Sequence, residues 1–318
     1  MEFLQSLKKS DAFGQRLAGL CYSRGIFQNW QGDPDFESAF KDQYLRNSIY
    51  LQIQKQISES ALNENICLTW LKGIELIRSV YQNPGERFLS DIDVLVSPAE
   101  LPQLRKMFVG LGARQIQSAS ESRLSDFKEI WNFPHSHSAV PVEIHTQLFY
   151  HEPKNWIWQR NPQGQLSSED FLLHLCGHCA FQHTFLQSLW LIDIFLYLQV
   201  FHDKISFQVL LNRARQLSLL KSVEVCLLLI EREFRWKMRE SLEFPQIKFS
   251  SSARTLARRL DRSFLLDPQR QAFKYLYTKH AIKDCFLQSL KYDALWIQQK
   301  LSLQQYRRKH PTKSNDNG

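Results

Sequence analysis

Ser90-Asp91-Ile92-Asp93-Val94-Leu95-Val96 decides how this chain is read. Its β-branched residues and two-residue alternation predict a strand. Successive strand side chains point to opposite faces, so Asp91 and Asp93 share one face while Ile92, Val94 and Val96 share the other. Two carboxylates on one face repel, and burying them unpaired costs several kcal/mol (roughly). Such a strand therefore needs a cation beside it.

Working outward, Asn83-Pro84-Gly85 marks a turn before the strand. Further upstream, Ile66 to Leu71 is a short β-prone run ended by Lys72-Gly73, and Ile74 to Tyr81 reads as a helix. Downstream, Ser97 is placed as an N-cap and Pro98 as the first residue of a helix that Gly112 stops. Arg114 to Ser118 predicts a short strand. Phe127 to Phe133 and Val140 to Leu148 predict an antiparallel pair joined by Pro134 to Ser138. In the second of these, Val142 and Ile144 face the core, whereas Glu143 and His145 face the other side. If this strand neighbours the Asp91/Asp93 strand, Asp91, Asp93 and Glu143 form a three-carboxylate cluster. Hard oxygen ligands of that kind suit Mg²⁺, and a cluster of three holds one or two metals for in-line phosphoryl transfer.

Beyond this segment the β signals fade. The 318 residues predict an α+β protein: a small mixed-sheet core with N-terminal helices and a C-terminal helical domain. The boundaries are drawn as an N-terminal helical segment at 1–64, an α/β core at 65–165, a helical domain at 166–304 and a disordered tail at 305–318. Hydrophobic residues make up 43% and aromatics 13%, which excludes a disordered or fibrous chain. The six cysteines are scattered and no export signal opens the chain, so a reducing, cytoplasmic setting is expected. The longest apolar stretch, Phe185 to Phe201, contains Gln187, Ser188, Asp193 and Gln199. It predicts a buried helix rather than a membrane span.

A glycine opening a helix, then Asp-x-Asp on a strand, then a third carboxylate on a later strand, resembles the DNA polymerase β-like nucleotidyltransferase superfamily. The fuller set is Leu71-Lys72-Gly73, Arg87, Ser90 to Val96, Gly112, Val142-Glu143-Ile144-His145 and a His-rich helix downstream. It resembles the bacterial uncharacterised nucleotidyltransferase family over roughly residues 65–200. The resemblance implies that a nucleoside monophosphate moves from an NTP to a hydroxyl of an unknown acceptor (small molecule, protein or RNA), releasing pyrophosphate. It implies that Asp91, Asp93 and Glu143 hold Mg²⁺ (or Mn²⁺), with Glu143 also helping to deprotonate the acceptor. It assigns Lys72, Gly73, Arg87 and Ser90 to the nucleotide, and His145 and His178 to the lining of the cleft, with Asp193 nearby. The chain departs from the superfamily at Lys72-Gly73-Ile74, where a phosphate-touching serine usually follows the glycine. Lys72 supplies positive charge there instead. Arg87 has a second reading, as a loop cation paired with Asp91 or Glu86. The alternative function is a catalytically inactive nucleotide-binding or protein-interaction module of the same fold.

Two other features are set aside. His174, Cys176, His178, Cys179 and His183 crowd one helix, but zinc normally takes ligands from separated segments, so the cysteines are expected to act as small core residues. Lys+Arg exceed Asp+Glu by 40 to 32, for a net charge of +8. Arg254, Arg258 and Arg262, spaced for one helix face, and Arg307 to His310 carry part of that excess. They read as solvated charge and give no aromatic ladder for single-stranded nucleic acid.

Overall fold

A computed structural model of the protein describes residues 2–26, 32–117, 128–135, 139–236 and 247–285, with 287, 289–290, 293–294 and 297. Three short helices, α1 (Glu2–Gln5), α2 (Lys9–Gly14) and α3 (Ala18–Ser23), precede the long α4 (Pro34–Asn63). Asp33 caps α4 by accepting from the Asp35 N–H at 2.9 Å, with Pro34 in its first turn. The helix ends where Asn65 turns left-handed, φ +56°. After it come β1 (Thr69–Trp70), α5 (Lys72–Ser79), β2 (Ile92–Leu95), α6 (Leu101–Gly110), β3 (Arg114–Gln117), β4 (Lys128–Phe133) and β5 (Val140–His145). The chain continues as α7 (Ser168–Cys176), α8 (Ser188–Phe201), α9 (Phe207–Gln216), α10 (Leu220–Phe234), α11 (Ser251–Arg259), α12 (Arg262–Leu266) and α13 (Ala272–Ala281). The fold is mixed α+β, as expected.

The five strands form one sheet in the order β1-β2-β5-β4-β3. Among the described residues only the central β2–β5 pair is parallel; the others are antiparallel. One face packs Ile92, Val94, Val142 and Ile144 against Tyr50, Ile53, Ile57 and Ala61 of α4 and Phe108 of α6. A second core joins α1–α3 to the helices from α7 onward: the Phe3 and Phe234 rings lie 5.4 Å apart, and Phe195 stacks on Phe234 at 4.3 Å. The first 64 residues thus divide between two cores. α4 also fixes the loop leading into β2, because Asn47 donates to the carbonyls of Pro84 (2.5 Å) and Arg87 (2.7 Å), and Tyr50 donates to that of Ser90.

Local expectations change in three places. Ser97 does not cap α6. Its hydroxyl accepts from the Ala99 N–H and its carbonyl from the Glu100 N–H, closing a turn, and the helix starts at Leu101 with Pro102 in its first turn. Gly112 does stop α6, at φ +80°. Arg254, Arg258 and Arg262 do not share one helix, since α11 ends at Arg259 and Asp261 caps α12 through the Phe264 N–H at 2.9 Å. The His-rich segment leaves the α-helical path after Cys176 and widens into a π turn over Gly177–Gln182. A Cβ on Gly177 would sit 2.4 Å from the Phe149 ring, so only glycine allows that approach. Cys176, Cys179 and Cys226 are fully buried free thiols, the expected core role. Phe127, Ser118, residues 136–138 of the β4–β5 connection and the tail with Arg307 to His310 lie outside the described residues. Among the described residues, no helix is long and apolar enough to cross a membrane.

Candidate metal and nucleotide site

The parallel register of β2 and β5 pairs Asp93 with Glu143 and Leu95 with His145. Paired residues of neighbouring strands face the same side, so the polar face of the sheet gathers Asp93, Glu143 and His145. Antiparallel β4 sets Lys128 opposite His145. Asp91 lies one residue before β2, with its carboxylate accepting from the Ser90 hydroxyl at 3.0 Å. Lys72 sits at the first residue of α5 with φ +46°, a left-handed conformation that costs on the order of 1–3 kcal/mol for a residue with a side chain.

These groups form one charged network. Lys72 Nζ lies 2.7 Å from Asp93 Oδ1, and His145 Nε2 lies 2.8 Å from the same oxygen. Lys128 Nζ spans both Glu143 oxygens at 3.1 and 3.2 Å. His145 Nε2 is also 3.6 Å from Glu143 Oε2. Burial pushes the Asp91 carboxyl up to about 6, and the charge of Asp93 adds to that. Burial also acts against ionised Asp93, but Lys72 and the His145 hydrogen bond outweigh it and hold the group well below the usual carboxylate range. Burial lowers His145, so its imidazole is neutral at pH 7. Neutral imidazole facing a carboxylate keeps its proton on Nε2, which leaves Nδ1 as the lone-pair atom, and Nδ1 is buried without a partner among the described residues.

Ligand atoms of Asp93, Glu143 and His145 lie within 4.8 Å of one another, a spacing a single ion can bridge. Two carboxylates and an imidazole suit a divalent metal. The structure carries no ligand, and a donor set of two carboxylates and an imidazole fits such an ion, with Nε2 of His145, once its proton moves to Nδ1, as the nitrogen that faces the carboxylates.

All nine residues assigned to the site from sequence line a single cavity of about 400 Å³: Lys72, Gly73, Arg87, Ser90, Asp91, Asp93, Glu143, His145 and His178. Their engagements differ. Arg87 is buried and pairs with neither Asp91 nor Glu86. Its Nε and Nη2 donate to the two oxygens of Asp193 at 2.9 and 2.7 Å, and its Nη1 donates to the Phe88 carbonyl. Tyr81 donates to the same Asp193 at 2.6 Å, while Glu86 pairs with Arg24. Gly73 is where the Arg87 guanidinium crosses the chain; a Cβ there would lie 2.1 Å from Nη1. His178 forms a wall with His183 and Trp190, ring centroids 4.5 to 4.8 Å apart, and burial keeps both imidazoles neutral, His183 down to about 4. His174 lies behind that wall, buried, with neither ring nitrogen partnered among the described residues.

Sequence reasoning missed Lys128, which the β4–β5 register sets opposite His145 and within ion-pair reach of Glu143, and Arg16 at the α2–α3 corner, which lines the cavity from outside the motif. It also missed the Arg87–Asp193 pair, because nothing in the motif relates residues so far apart.

No curated protein and no solved structure matches the chain. Comparison with protein families matches residues 12–235 to the family described as uncharacterised nucleotidyltransferase. The match spans most of the chain and takes in the whole carboxylate cluster, the sheet beneath it and the helices that close over it. The chain belongs to the uncharacterised nucleotidyltransferase family.

Proposed function

We propose that the protein is a Mg²⁺-dependent nucleotidyltransferase, with Mn²⁺ as the alternative metal. It transfers a nucleoside monophosphate from an NTP to a hydroxyl on an acceptor. The observation that carries this reading is that Asp93 of β2 and Glu143 of β5 bring their ligand atoms together with that of His145, in one cavity that Asp91 also lines. Asp91, Asp93 and Glu143 would hold the metal. When bound, it supplies charge neutralisation for the triphosphate, which is most of what phosphoryl transfer requires. Glu143 accepts the proton of the acceptor hydroxyl. The hydroxyl oxygen bonds to the α-phosphorus, the bond from that phosphorus to the α–β bridging oxygen breaks, and pyrophosphate leaves. Lys72 offers its ammonium to the phosphates from the left-handed corner before α5, in place of the usual serine. Ser90, Gly73 and His178 line the same space.

One observation favours a second reading. Lys72 already sits on Asp93, the position a metal would use. A resident ammonium there suits a nucleotide-binding module without catalysis.

The two readings separate in one experiment. The full chain is incubated with α-labelled NTPs, Mg²⁺ or Mn²⁺, and cell extract, beside the Asp91→Ala/Asp93→Ala double variant. Metal-dependent label transfer that the double variant loses supports the enzyme. Nucleotide binding without any transfer supports the module.

A further inference from the structure

We infer that Arg16, on the corner between α2 and α3, is a binding residue for the polyphosphate of the nucleotide. The inference rests on the nucleotidyltransferase reading and extends it to a residue outside the motif.

The argument begins with which cations in the cavity are already engaged. Arg87 is closed onto Asp193 through two parallel hydrogen bonds. Lys72 is held by Asp93 and Lys128 by Glu143. Arg16 differs from all three. Its guanidinium lines the same cavity, yet among the described residues it makes no salt bridge and no side-chain hydrogen bond. What holds it is the Phe88 ring, 4.4 Å below the guanidinium carbon. Arg46 approaches the same ring at 5.1 Å and likewise has no acidic partner among the described residues. Two like charges on one aromatic ring repel, and a guanidinium turned into a cavity needs acceptors for its five N–H groups. Burial and the charges of Arg46 and Arg87 both disfavour its charged form, and only Asp91 favours it. An arginine stays charged regardless, and an anion entering the cavity would supply the paired acceptors that the protein itself does not.

The backbone is built to present this side chain. Arg16 has φ +61°, a left-handed conformation that a β-carbon disfavours. The neighbouring Gln15 is buried and clamped at both ends of its amide. Its Nε2 donates to the Leu266 carbonyl at 2.6 Å, and its Oε1 accepts from the Ser188 N–H at 2.6 Å. The corner is thereby fixed to α8 and α12. It belongs to the helical core and the carboxylate cluster to the sheet, and both line the same cavity. A triphosphate held at Asp91 and Asp93 would reach across that gap. The planar fork of arginine matches phosphate oxygens in pairs, which an ammonium does not.

The test is calorimetric titration of ATP, GTP, CTP and UTP, and of their monophosphates, into the full chain with Ca²⁺ in place of Mg²⁺. Wild type is compared with Arg16→Ala and Arg16→Lys, and thermal melts confirm folding. For the triphosphate that binds, Arg16→Ala is expected to weaken affinity about 10- to 100-fold, the scale of one charge-assisted hydrogen-bonded contact. The matching monophosphate is expected to bind within about twofold of wild type, and Arg16→Lys to fall between. Unchanged triphosphate affinity in Arg16→Ala overturns this inference and leaves the nucleotidyltransferase reading standing. Equal weakening of triphosphate and monophosphate overturns it too, since the residue then acts on the fold or the nucleoside. Failure of wild type to bind any triphosphate overturns the nucleotidyltransferase reading, and this inference with it.

Discussion

Two ion pairs line the cavity and differ in kind. Arg87–Asp193 is closed: a guanidinium fork matched to one carboxylate, both groups almost wholly buried, with Tyr81 donating to the same acid. Lys72–Asp93 is open. Its ammonium touches one oxygen, the acid also accepts from His145, and two further carboxylates, Asp91 and Glu143, crowd the same space. A closed pair is saturated and holds structure. An open pair has excess charge and unused lone pairs, which is what a site for an incoming cation requires. The sequence motif contains both cations without distinguishing them.

The sharpest way to break the comparison is Arg87→Met. It strands Asp193 and Tyr81 in the core, and is expected to cost about 3–5 kcal/mol in urea unfolding. The double variant Arg87→Met/Asp193→Leu should recover most of that loss. A single-variant cost below about 1 kcal/mol would show that the pair is not closed after all. On the open side, Asp93→Ala should reduce label transfer roughly 10²- to 10³-fold, the scale of deleting one group that stabilises developing charge. Lys72→Met tests the same pair for stability. Because His145 still donates to Asp93, the expected cost is only about 1–3 kcal/mol. A cost equal to that of Arg87→Met would make the two pairs equivalent.

Glu75 sharpens the contrast from a third direction. It is a buried carboxylate with only a long ion pair, to Arg78 at 3.9 Å; one oxygen accepts from Gln165, while the other has no hydrogen-bond partner among the described residues. Burial raises its carboxyl from 4.5 to about 7. The folded state therefore keeps a proton that the unfolded chain releases, and stability falls as pH rises from about 4.5 to about 7. Glu75→Gln removes that slope. It should stabilise the protein by about 1–2 kcal/mol at pH 8 and by almost nothing at pH 4.5, read from urea midpoints at the two values. Equal effects at both would mean that Glu75 is not protonated in the native state.

Much of this architecture was legible in the sequence because it is local. The Asp-x-Asp strand, the β4–β5 pair and the Gly112 stop each follow from alternation or from a residue with one conformational habit. The β2–β5 pairing was conditional, because no short-range signal says which strands become neighbours. Register then decided Lys128, and chain crossing decided Gly73, whose Cβ position is filled by Arg87. Asp193 looked like one polar residue in an apolar helix; its partner lies 106 positions upstream. Arg16 carried no signal at all, since a corner residue between two short helices acquires meaning only from what folds over it.

The clamp on Gln15 also bears on how the chain reaches its native state during synthesis. Its contact with Leu266 spans 251 residues, and Phe3 meets Phe234 in the same core. Everything in the sheet, from β1 to β5, has left the ribosome long before those partners exist. The sheet and α4 can therefore settle early, while α1–α3 wait for α8, α10 and α12. Contacts of such long range slow the final step of folding. The cavity gains its last wall only at that step, so a nascent chain carries its acidic cluster well before Arg16 is in place.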